Sequence, residues 1–89
     1  MSPNHLAGPG VFSALGDARR RRIVELLAVK ERSVGELAVE LRIAQPSVTQ
    51  HLASLRGAGL VSFEKRGTSS IYSLERGAFA AVTEWIESL

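Results

Sequence analysis

Apolar positions recur along most of this chain at spacings of three and four, the period of helices that bury one face. Val11, Phe12 and Leu15 share one side of a short first helix that stops at Gly16. Asp17 is a good N-cap for a second helix over about Ala18–Val29, with Ile23, Leu26 and Leu27 as its apolar stripe. Ser33 and Glu36 make an S-x-x-E capping box that opens a third helix through about Leu41, burying Val34, Leu37, Ala38 and Leu41. After a break at Arg42–Ala44, Pro46 sits in the first turn of a fourth helix, where its missing N–H costs nothing. Val48, Leu52 and Leu55 are that helix's core positions, and Gly57 and Gly59 end it.

The period then changes. Leu60–Lys65 and Ser70–Leu74 mix β-branched or aromatic residues with polar ones and read as strands, with Arg66-Gly67-Thr68-Ser69 as a hairpin tip. Gly77–Leu89 is helical again, with Phe79, Val82, Ile86 and Leu89 on one edge. The expected fold is mainly α with a small β-hairpin, in the order α-α-α-α-β-β-α. Two consecutive helices with a tight break, followed by a hairpin, are the pattern of a winged helix-turn-helix. In that fold the third helix braces and the fourth enters the DNA major groove.

The fourth helix carries the chemistry to match. At about 100° per residue, Val48, Leu52 and Leu55 point to the core, while Ser47, Gln50, His51 and Ser54 fall on a neighbouring face. None of these is acidic, and all form hydrogen bonds. Gln pairs with adenine edges in the major groove and Ser contacts several base edges. Surface helix faces usually carry Lys and Glu, so a run of short uncharged donors is more than a solvated face. Gln45, Ser47, Thr49, Gln50 and His51 are the candidate base readers, with Thr49 on the other flank near Arg56. Ser54 and the hairpin residues Lys65, Arg66, Thr68 and Ser70 are candidates for phosphate contacts, which add affinity and register with little sequence choice. Arg19–Arg22 cannot face one way on a helix; one or two can reach phosphate, and others can pair with Asp17 or Glu25.

Charge sharpens this picture. The formal net charge is only +2, but residues 1–32 carry six basic and three acidic groups, and residues 75–89 one basic and three acidic. The ends face different things. The chain has no cysteine, which removes thiolate metal sites and thiol redox switches. His5 and His51 are its two histidines, far apart in sequence. No cofactor is expected, and neither a catalytic triad nor a phosphate-cradling glycine loop is present, so an enzyme is not expected. No apolar run is long enough to span a membrane and no secretory signal is visible, which makes the cytoplasm the expected location. Residues 1–10, with two of the three prolines, read as a flexible arm. Residues 11–89 read as one DNA-binding and dimerisation domain.

Phe12-Ser13-Ala14-Leu15-Gly16-Asp17, Arg20-Arg21-Arg22-Ile23 and Leu26-Leu27 look like the opening of the ArsR/SmtB family of winged-helix repressors. Gln45-Pro46-Ser47-Val48-Thr49-Gln50-His51-Leu52 resembles that family's recognition helix, and Leu55-Arg56, Ala58-Gly59-Leu60-Val61 and Tyr72-Ser73-Leu74 continue the match. The resemblance covers about residues 11–89. It implies a homodimeric bacterial transcriptional regulator, usually a repressor, on double-stranded DNA bearing a short inverted repeat. Many members release DNA on binding a metal. This chain departs there: Ser33 and Gly35 stand where metal sensors carry cysteines, and the terminal helix has Glu84 and Glu87 but no histidine. No family-type metal switch is expected, and the effector is unknown. Ala18 and Ala44 stand where the family often has Pro and Ser; Ala44 gives up a helix cap, and Gln45 is placed to cap instead.

A short chain buries a modest core, so a second copy is the simplest source of further burial. Val11, Phe12, Leu15, Phe79, Val82, Trp85, Ile86 and Leu89 are the expected dimer face. The competing reading is a winged-helix protein-interaction module without a sequence-specific DNA target, since fold does not fix function. Such a module would expose an apolar patch where this chain has the polar face around Gln50.

Overall fold

Local chemistry sets the helix starts in the computed structural model, which describes residues 10–89. The arm expected over residues 1–10 lies, apart from Gly10, outside the described residues. Helix α1 (Val11–Leu15) stops at Gly16. Asp17 caps α2 (Ala18–Val29), its Oδ1 accepting the amides of Arg19 at 2.8 Å and Arg20 at 3.1 Å. Helix α3 (Val34–Leu41) opens on a closed capping box. The Glu36 amide donates to Ser33 Oγ at 3.1 Å, and the Ser33 amide donates to Glu36 Oε1 at 2.9 Å. A turn at Arg42–Ala44 leads to α4 (Gln45–Gly57); Arg42 closes it in the left-handed region at φ 56°. Helix α4 has Pro46 in its first turn and no side-chain cap. Gln45 therefore does not replace the missing cap at Ala44, because its amide reaches back toward α3 instead.

Among the described residues a three-stranded antiparallel sheet follows the order β1-β3-β2, with β1 at Arg32–Ser33, β2 at Val61–Arg66 and β3 at Ser69–Leu74. Strand β1 is absent from the expected element order. It is two residues long, too short to show alternation, and exists because Arg32 and Ser33 pair with Tyr72 and Ile71. The hairpin tip is tighter than expected. Arg66 pairs with Ser69, so only Gly67 and Thr68 form the loop, with Gly67 at φ +63°. Glycine at the first position of a two-residue hairpin loop accepts that angle without strain. The last helix, α5, covers Arg76–Glu87, one residue earlier at its start than expected and ending before Leu89. This is the winged helix-turn-helix arrangement: α3 and α4 form the helical pair, and β2–β3 form the wing.

The core joins these elements. Ile23 of α2, Leu37 of α3, Val48, Leu52 and Leu55 of α4, and Leu60 before the wing are fully buried. Val34, Ala38 and Leu41 pack against this cluster but stay half-buried, so Leu37 alone anchors α3. Val11 is 3% exposed and belongs to the same core. That corrects its assignment to the dimer face: its side chain is already covered by its own chain. Across the wing Phe63 and Tyr72 stand opposite each other with ring centroids 5.2 Å apart.

Two outcomes follow from this packing. Leu52→Ala leaves a cavity beside the helical pair, and urea unfolding should show a loss of about 2–5 kcal/mol with an unchanged slope. The caps also give stability a pH dependence. The Arg20 amide first, then the Arg19 amide, holds the Asp17 carboxyl below its ordinary 3.8, and the Ser33 amide holds Glu36 below 4.5. Because the folded values are the lower ones, this stabilisation is complete above the ordinary values and is lost as pH falls through the depressed ones. Thermal melts down an acid series should show that decline, and Asp17→Ala should make it shallower.

Candidate nucleic-acid interface

Burying Val48, Leu52 and Leu55 fixes the rotation of α4 and so sorts its polar residues into three directions. Gln50 is exposed on the side away from the core. Ser47 and His51 lie half-buried on one flank. Gln45 and Thr49 lie on the other flank, facing the wing. The structure therefore does not gather the candidate base readers on one face. Ser54 is exposed.

Gln45 and Thr49 line a cleft of about 380 Å³ together with Ser33, Val34 and Gly35 of the α3 start and Thr68, Ser69 and Ser70 of the wing. A Cβ placed on Gly35 would lie 3.6 Å from Gln45 Nε2 and 3.9 Å from Ser33 Oγ, so the Gln45 amide rests over the first turn of α3. Ser33 and Gly35 were not foreseen as site residues, whereas Ser69 belongs to the hairpin already expected at DNA. The capping box accounted for Ser33 locally, and nothing in local spacing brings the wing to it.

Packing also fixes the wing. The Arg56 guanidinium sits 4.5 Å from the centroid of the Phe63 ring and ties the end of α4 to β2. Such a contact at an exposed site contributes about 0.5–1 kcal/mol. Arg66, expected at phosphate, is exposed and ion-paired to two carboxylates of its own chain. Its guanidinium forms a two-pronged pair with Glu31, with Nη2 3.2 Å from Oε2, and Nε donates to Glu64 Oε1 at 2.7 Å. The hydrogen bonds from Glu31 and then Glu64 raise the Arg66 pKa further above its ordinary range, and the Arg66 hydrogen bond lowers that of Glu31. Lys65 is exposed and is not part of this network. The wing is thus less basic in effect than its sequence suggests.

The arginine run is largely occupied as well. Arg20 Nε donates to Ala14 O at 2.7 Å, and Arg21 Nη1 to Leu15 O at 2.7 Å, closing the carbonyl end of α1. Arg22 pairs with Glu25 at 3.4 Å. These contacts join α1 to α2.

On the opposite side, none of the residues of α5 is buried. Phe79 and Val82 pack partly on the core, as does Leu15. Phe12 at 42%, Trp85 at 44%, Ile86 at 57% and Leu89 at 87% remain exposed. Phe12 and Trp85 meet edge to face with centroids 5.4 Å apart, so α1 and α5 share one apolar surface. Among the described residues no three His, Asp or Glu side chains gather as metal ligands, and no helix is long and apolar enough to cross a membrane.

This geometry has clear relatives. The profile described as "Bacterial regulatory protein, arsR family" matches residues 17–62. The HTH-type transcriptional regulator Rv2034 of Mycobacterium tuberculosis is 44% identical over 71 residues, covering 80% of this chain and 66% of its own length, just under two thirds. The transcriptional activator HlyU of Vibrio cholerae is 34% identical over 89 residues, all of this chain and 82% of HlyU. A solved HlyU structure superposes with a TM-score of 0.81 at 33% identity, covering 99% of this chain and 96% of that one. The solution structure of a homodimeric winged helix-turn-helix DNA-binding domain, Mb0332 from Mycobacterium bovis, aligns with a TM-score of 0.77 at 27% identity over 92% of this chain and 78% of that one.

The wing anchor can be tested directly. Glu31→Gln removes the charge that holds Arg66 from the α2–β1 side. Hydrogen exchange at the β2–β3 amides should speed up relative to the α2 amides; equal protection in both proteins would show that the pair does not hold the wing.

Proposed function

The chain belongs to the arsR family of bacterial regulatory proteins, and from that premise we propose that it is a homodimeric repressor that binds an inverted-repeat operator. The observation that carries the DNA reading is the uncharged, hydrogen-bonding surface of α4, held outward by three fully buried residues and flanked by a wing. It has the donors and acceptors of a base-reading surface and lacks the exposed apolar patch an interaction module would present there. Gln50 is the leading base reader, with Ser47 and His51 on one flank. Gln45 and Thr49, turned toward the wing, serve the backbone side. Lys65 supplies a charged phosphate contact, and Ser54, Thr68 and Ser70 supply neutral ones.

The dimer reading is supported by the shared surface of Phe12, Trp85, Ile86 and Leu89 and by the homodimeric state of the Mycobacterium bovis relative. Two copies joined through α1 and α5 present two α4 helices to half-sites about 34–36 Å apart, one turn of DNA. Repression needs only occupancy of DNA that polymerase must also use. The absence of cysteine, and Ser33 and Gly35 at the family's thiolate positions, support regulation without a thiol or a family-type metal switch.

Three measurements test this. Fragments selected from a random DNA pool should share a palindrome, and Gln50→Ala should lose about 1–3 kcal/mol of discrimination at one base position of each half-site. Sedimentation equilibrium should give twice the 9.6 kDa chain mass, and Trp85→Glu should return the single-chain mass. A reporter behind the selected promoter should rise when the coding region is deleted; a fall would assign activation instead.

A further inference from the structure

We propose that a pocket between α2, β3 and α5 binds a small carboxylic acid with an apolar body, and that this ligand acts as an effector. The pocket shares no lining residue with the cleft between α4 and the wing. Binding of the acid is independent of the DNA reading above; its effector role rests on that reading.

The pocket measures about 260 Å³ and is lined by Val24 and Ala28 of α2, Leu74 of β3, and Arg76 and Phe79 of α5. Sites for drug-sized molecules run from about 300 Å³ upward, so this one suits a smaller ligand. Val24, Leu74 and Phe79 are half-buried and leave apolar surface for a ligand to cover. Arg76 is the one charged lining residue, and its position is fixed. Its Nη2 donates at 2.9 Å to Ala28 O, in the last turn of α2, where a cation is favoured. Among the described residues the ion pairs engage Arg22 and Arg66, not Arg76, and its other nitrogens have no acceptor. A guanidinium with an unused edge matches a carboxylate in two-pronged fashion. No acidic residue lines the pocket to compete for it, and the adjacent Glu75 accepts from Ser62 Oγ at 2.5 Å instead. A sugar or a nucleotide would leave polar groups unpaired against Val24, Leu74 and Phe79, whereas an apolar acid satisfies both parts of the site.

Position gives the consequence. Helix α5 carries the apolar surface shared with Phe12, while β3 is the central strand of the wing sheet. Phe79 and Trp85 are six positions apart, about 120° around α5, so Phe79 lines the pocket while Trp85 meets Phe12. A ligand wedged between α5 and α2–β3 moves the dimer helix against the DNA-facing elements. Acid binding and DNA binding are then coupled, each changing the other by the same factor.

Octanoate and benzoate, titrated into the isotope-labelled full chain without DNA, test the site, with octanol as the neutral control. Saturable amide shifts should centre on Val24, Ala28, Leu74, Arg76 and Phe79; the tighter acid tells an aliphatic from an aromatic body. Arg76→Gln should weaken acid binding about tenfold or more, the loss of a charge-assisted pair, and leave octanol unchanged. Because Arg76 also caps α2, melts check that this variant is folded, and Ala28→Leu, which fills the pocket and keeps the guanidinium, should abolish binding as well. Equal acid affinity in wild type and Arg76→Gln, shifts centred on Phe12 and Trp85, or no saturable shift would each overturn the site and leave the DNA reading standing. On a selected palindromic duplex, saturating acid should change wild-type affinity by about five- to 150-fold and leave Arg76→Gln unaffected. Unchanged affinity would overturn the effector role. A wild-type protein that binds the acid but no duplex would overturn the DNA reading and the effector role with it, while the site stands.

Discussion

The burial of Val48, Leu52 and Leu55 is the constraint on which the rest of this molecule depends. All three are fully buried, against a core that includes Ile23, Leu37 and Leu60. Each contributes about 1.5–3 kcal/mol by leaving water. Turning α4 by a single position would expose that stripe and bury Thr49 and Arg56, or Ser47, His51 and Ser54, in its place, so the helix has one stable rotation. From it follow the outward direction of Gln50, the flank position of Ser47 and His51 and the turn of Gln45 and Thr49 toward the wing. The polar surface is selected by the apolar one beneath it.

The wing is a second rigid body placed on this frame by contacts between residues far apart in sequence. Strand β3 lies in the centre of the sheet, between β2 and the two-residue β1. Tyr72 reaches the core from β3 and carries Phe63 on its neighbour, and Phe63 in turn receives Arg56 from α4. Arg66 ties the far end of β2 to Glu31 beyond α2. Exposed ion pairs add little stability singly. Their effect here is on geometry, because they join β2 to the segment between α2 and β1.

Sequence pattern reached the helices because their causes are local. Asp17, the Ser33–Glu36 box and the spacing of Ile23, Leu26 and Leu27 act within a turn or two, and α2 has the expected bounds. The recognition helix was legible for the same reason, and its core stripe was read in full. What local pattern could not reach is pairing across the chain. Strand β1 exists only through Tyr72 and Ile71, and Arg66 pairs with Glu31 across 35 positions of sequence. Val11 has the same spacing as Phe12 and Leu15 but is enclosed by its own core, whereas Phe12 opens toward Trp85. A helical wheel gives the side of a helix, not the depth of the neighbour that will cover it. The candidate site residues were named from the sequence, while their division between an outward edge and a wing-facing cleft needed the tertiary contacts.

The dimer surface and the DNA-facing surface constrain each other. In the proposed complex a single α4 and wing meet one half-site. In the proposed dimer, register comes from the second copy, because two α4 helices carried on one α1–α5 body enter successive major grooves at only one spacing. Helix α5 is suited to that role by what it lacks. It has no fully buried residue, it carries its apolar edge beside Phe12, and its segment brings three acidic groups against one basic. Placed near phosphate those charges would repel; placed at a two-fold axis behind the DNA-facing helices they lie beyond the roughly 8–10 Å over which salt leaves charges in contact. The modest net charge of +2 is therefore the sum of two surfaces with opposite requirements rather than a measure of affinity for DNA.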